Sequence, residues 1–78
     1  MQNRFENPVK VQLGHGPRTV ASANDAARLL LDVDWPKRGP GHRDATETCI
    51  KVMEGTRSAT DARTAFVRAA RESGILVE

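Results

Sequence analysis

The chain has very little of the residue types that staple, stack or catalyse: one cysteine, no tyrosine, two phenylalanines and one tryptophan among 78 residues. A single thiol excludes an intrachain disulfide, and His15 and His42 stand in no zinc-finger or redox spacing. A reducing cytoplasm is the expected setting. No uninterrupted apolar segment exceeds three residues, Leu29–Leu31 among them, so neither a membrane span nor an export signal is expected. Charge of one sign is also missing in any long run. Twelve cations, nine of them arginine, are interspersed with ten acids for a net charge of +2. That mixture reads as a solvated surface more than as a dedicated polyanion groove. Three aromatics are too few to serve both packing and a base-stacking platform.

What is there suffices for a single α+β domain over residues 1–78, with residues 1–7 expected as a flexible N-terminal arm. A chain of this length buries only about 60–65% of its unfolded surface, so every element must contribute to the core. Val9, Val11 and Leu13 alternate with Lys10 and Gln12, the period of a half-buried strand. The run Gly14-His15-Gly16-Pro17 then predicts a hairpin turn into a second strand over residues 18–21. Ser22, with Asp25 three positions on, signals a helix start. Ala23, Ala26, Ala27, Leu30, Leu31 and Val33 share one side of that helix, which is predicted to end near Val33. Pro36 and Gly39-Pro40-Gly41 predict a loop over residues 34–41.

A second helix is expected over residues 42–54, burying Ala45, Cys49, Ile50, Val52 and Met53 and capped by Gly55. Ser58 and Asp61 repeat the capping signal for a third helix reaching Gly74, with Ala59, Ala62, Ala65, Phe66, Ala69 and Ala70 on its inner side. Ile75-Leu76-Val77 either adds a strand to the hairpin or folds over the core. The expected architecture is a β-hairpin, with or without this third C-terminal strand, packed against three amphipathic helices.

The ordered set of strand 9–13, Ala26-Ala27, Trp35-Pro36, Gly41, Ala45 with Cys49, Gly55, Ala62-Arg63-Thr64-Ala65-Phe66, Ala69-Ala70 and Gly74-Ile75 resembles the small bacterial family called domain of unknown function 982. The resemblance covers roughly residues 8–78, and it departs from many relatives at His42-Arg43. It implies a compact cytoplasmic α+β domain and brings no activity, cofactor or catalytic residue with it.

Read residue by residue, the chain offers no catalytic, cofactor or metal site. Cys49 sits on the apolar face of its helix, where a thiol is packing material rather than a nucleophile. Arg63 is directed toward the apolar side of the third helix and must snorkel or find a carboxylate, with Asp25, Asp34 and Asp44 as candidates; the alternative is an anion anchor for a partner. Trp35 either plugs the core or, beside Lys37, Arg38 and Arg43, forms a docking patch. The second and third helices with the turn between them match the length of a helix-turn-helix, whose outer face offers Arg68 and Arg71 but also Asp61 and Glu72.

These readings make a non-enzymatic protein-interaction or self-association module the first expectation. The candidate interaction residues are Trp35, Lys37, Arg38, Arg43, Arg63, Arg68 and Arg71. The second expectation is nucleic-acid binding through a basic surface made by loop 37–43 and helix 59–73, with Arg57 contributing.

Overall fold

The computed structural model describes residues 3–77. Two long strands, β1 (Arg4–Leu13) and β2 (Gly16–Ser22), form the hairpin; α1 (Ala23–Leu30), α2 (Pro40–Met53) and α3 (Ala59–Glu72) follow, and β3 (Leu76–Val77) ends the described chain. The sheet is antiparallel in the order β2-β1-β3, with Lys10 opposite Val77 and Val11 opposite Leu76. Of the two outcomes open for Ile75-Leu76-Val77, the structure takes the third strand. Gly16, at φ 125, supplies the positive φ that closes the two-residue turn Gly14-His15.

β1 begins well before the predicted strand. Residues 1 and 2 of the expected arm lie outside the described residues, but from Arg4 onward the chain is strand, and Phe5 is buried. The reason is apolar: the Phe5 ring joins the core, four positions before Val9 and so on the same inward face of the strand, while the β1–β2 register is irregular between Arg4 and Val9. The helices cover that inner face. Val11, Val20, Ala26, Leu30, Cys49, Val52, Phe66 and Ala70 form the centre of the core.

Helix ends follow the sequence signals where these are local. Ser22 accepts a hydrogen bond from the Asp25 amide at 3.1 Å, and Ser58 accepts one from the Asp61 amide at 3.2 Å. Gly55 and Gly74, at φ 87 and 73, end α2 and α3 in Schellman motifs: the Thr56 amide reaches the Lys51 carbonyl, and the Ile75 amide reaches Ala70. Two boundaries differ from expectation. α1 stops at Leu30, leaving Leu31 68% and Val33 92% exposed, because Asp32 turns the chain by accepting the Asp34 amide through its side chain at 2.8 Å. α2 starts at Pro40 rather than His42, since a proline at the first helical position needs no amide partner.

The buried stripe of α2 also differs. Gly41, Ala45, Thr48, Cys49 and Val52 face inward, whereas Ile50 and Met53 are exposed. Small side chains let α2 lie close against the alanines of α3. Thr48 tolerates burial because its hydroxyl donates to the Asp44 carbonyl at 2.8 Å.

Candidate functional site

The three chain segments that carry the candidate residues are held by one clasp at the ends of α2 and α3. Glu72 Oε1 accepts the Gly41 amide at 3.1 Å, capping from 31 positions away a helix whose own N-cap, Gly39, has no side chain to offer. A Cβ on Gly39 would stand 2.8 Å from that oxygen, so a side chain there would displace the Glu72 carboxylate. Next to it, the Ser73 hydroxyl and the Trp35 indole N–H both donate to the Lys37 carbonyl, at 2.8 and 3.1 Å. Trp35 is 3% exposed, with its ring centroid 5.7 Å from Phe66 and 5.8 Å from His42. It plugs the core, so its indole is not available to the docking patch that the sequence also allowed.

The candidate basic residues fall in three places, the loop, the α2–α3 cleft and a groove beside β1. Arg38 is spent on the loop, donating to the Asp32 carbonyl at 2.8 Å, and Lys37 and Arg43 are exposed nearby. Arg68 and Arg57 share a shallow cleft between α2 and α3 with Asp44 and Asp61. Arg57 bonds Asp61 at 3.0 Å, and that bond holds the Asp61 carboxyl below the usual range. Contact between Gly41 and Glu72, at the ends remote from the connecting turn, makes α2 and α3 an antiparallel hairpin. Two helices of about 20 Å crossing steeply, as in a helix-turn-helix, would hold those ends far apart.

Arg63 pairs with none of the three carboxylates proposed for it. Its Nε donates to the Asn7 carbonyl of β1 at 2.7 Å, a neutral acceptor that the irregular stretch of β1 presents toward α3. With Arg71 and Lys10 it borders a groove of about 320 Å³ whose remaining walls are Pro8, Val9, Val67, Leu76 and Val77. Every charged residue among the described ones lining this groove is a cation. Neither Lys10 nor Arg71 forms a side-chain hydrogen bond or ion pair among the described residues, and Arg63 uses only Nε. Of this group the sequence singled out Arg63 and Arg71; Lys10 was read only as the polar half of a strand. The missed signal is the spacing Arg63, Val67, Arg71, four by four along one helix.

Both histidines make contacts within the fold. His42 contacts the Leu30 carbonyl at the end of α1, and His15 Nε2 lies 3.2 Å from Asp32 and 3.5 Å from Asp34. This second cluster joins the hairpin turn to the α1–α2 loop. Among the described residues it is the group best placed to meet a cation, its ligand atoms all lying within 4.8 Å of one another. The contacts within it already account for its geometry: the Asp34 amide and then His15 hold the Asp32 carboxyl below its ordinary range. Cys49 is buried, and desolvation pushes its thiol up to about 11.

A family model described as "Protein of unknown function (DUF982)" matches residues 7–77. The chain belongs to the DUF982 family. The resemblance read from Trp35-Pro36, the Ala62–Phe66 run and Gly74-Ile75 is thereby confirmed, together with the α+β fold of three helices on an antiparallel sheet. Among solved structures, this DUF982 chain is similar to the NMR structure of Agrobacterium tumefaciens protein Atu1219, a target of the Northeast Structural Genomics Consortium. The two share 33% identity over 97% of this chain and 77% of that one, with a TM-score of 0.77. No curated protein matches the chain. Among the described residues no helix is long and apolar enough to cross a membrane.

Proposed function

We propose that this DUF982 chain is a non-enzymatic, cytoplasmic protein-interaction module that docks its partner in the groove between α3 and the β1–β3 edge. The observation that carries the reading is the lining of that groove: Val67, Leu76 and Val77 offer apolar contact, and Arg63 and Arg71 offer cations with no carboxylate among the described lining residues. Apolar anchors flanked by arginines are the composition of an interface centre.

A photo-reactive benzophenone side chain placed at Val67, with one at Thr19 on β2 as control, tests this in cells. Support is a defined protein adduct at position 67, not at 19, that disappears when Arg63 and Arg71 are reversed to glutamate. Equal adducts at both positions, or none at 67, overturn it. An adduct between two copies of the chain assigns the groove to self-association.

The nucleic-acid reading draws on one specific feature. Asp61 is engaged by Arg57 and Glu72 by the Gly41 amide, so the acids of α3 are partly withdrawn from its outer face. Against it stands the division of the cations between the loop, the α2–α3 cleft and the groove. Anisotropy of labelled duplex and single-stranded oligonucleotides decides it: binding that falls several-fold per doubling of salt supports a polyanion surface, and none at low salt removes it.

A further inference from the structure

The repeat of the groove wall specifies what fits it. Arg63, Val67 and Arg71 stand four residues apart, so their Cα atoms rise about 6 Å per step along α3, in a row inclined roughly 26° to the helix axis. An extended peptide places alternate side chains on one face, about 6.6 Å apart. The two repeats match over three positions, and the charges of the row are cation, apolar, cation. The chain's own neighbours do not satisfy them: the terminal nitrogens of Arg63 and the whole head of Arg71 have no hydrogen-bond partner among the described residues. Resting on the interaction reading above, we propose that the groove binds an extended acidic segment of a partner protein with the pattern acid-x-apolar-x-acid. The apolar side chain would lie on Val67 beside Leu76, and the two carboxylates on Arg63 and Arg71.

Three fluorescent nonapeptides with neutral flanks test the pattern against the whole chain. One carries Asp-Thr-Leu-Thr-Asp, the second the same residues as Leu-Asp-Asp-Thr-Thr, and the third Asn in place of both Asp. The first is expected to bind at least ten-fold more tightly than either control, with affinity falling as salt is raised and amide shifts concentrated at Val67, Leu76 and Val77. Arg71→Gln removes one carboxylate site without touching the Asn7 bond, and is expected to abolish the preference for the first peptide while thermal unfolding stays unchanged. Equal binding of the first two peptides, an unchanged preference in Arg71→Gln, or stronger shifts of the same amides by an oligonucleotide each overturns the proposal. If the peptides fail while the Val67 protein adduct persists, the partner's chemistry is wrong and the interaction reading stands. If both fail, both are lost.

Discussion

Cys49 is enclosed by the core, and the rise of its thiol to about 11 comes from desolvation alone. The folded thiol ionises later than an unfolded one, so this contribution is complete below the ordinary value of 9.0 and is lost as pH climbs toward about 11. Alkaline denaturation of the wild type should therefore begin earlier than that of Cys49→Ala relative to each protein's own neutral stability. Iodoacetamide should label the thiol only on unfolding. Asp32 has the opposite sign. Its depressed carboxyl stabilises the fold above the usual carboxylate range and stops doing so as pH falls through the lowered value. Asp32→Asn should flatten the acid limb of a pH–stability curve, measured by thermal melts from pH 6 down to 2. Phe66 is the largest side chain fully withdrawn from solvent, and Phe66→Ala should cost about 3–5 kcal/mol. In a domain this small that leaves a substantial unfolded population, visible as lost amide dispersion.

At the scale of elements, the α2–α3 clasp makes a sharper forecast. Glu72→Ala removes the distant cap of α2 and should cost roughly 1 kcal/mol, a fall of several degrees in Tm. Gly41→Ala pushes the same carboxylate aside, since a Cβ there would stand 3.1 Å from both its oxygens, and should also destabilise. In the Glu72→Ala background the added methyl meets no carboxylate, and its better helix propensity, less in this first turn than the about 1 kcal/mol of a helix interior, should make Gly41→Ala stabilising. Calorimetry of the four proteins reads that change of sign. The clasp also marks where sequence reading stops. The Ser22, Ser58, Gly55 and Gly74 caps were legible because donor and acceptor lie within a few residues. The end of α1 was not, because Leu31 and Val33 continue an apolar pattern that Asp32 interrupts through its side chain. α2's stripe was misread by weighting Ile50 and Met53 for hydrophobicity, when close approach to α3 selects Gly41, Ala45 and Thr48.

For the whole molecule, the fold class was legible from periodicity, whereas the groove was not, because it assembles Lys10, Arg63 and Leu76 from three distant segments. Trp35 reports on the packing of the loop against α3: it touches Phe66 and is bonded to the loop backbone that Ser73 also holds. Its fluorescence should shift to the red on unfolding in the same transition as the far-ultraviolet circular dichroism. The sheet order has a consequence for how the chain is made. Of the described elements β1 is made first, and its second neighbour in the sheet, β3, is made last. At about 5–20 residues per second, the hairpin spends several seconds on the ribosome with that edge bare and open to neighbouring nascent chains. Pro8, which offers no amide to a foreign strand, and Lys10, whose charge resists stacking with a like copy, lie on β1 itself and guard it until Val77 emerges.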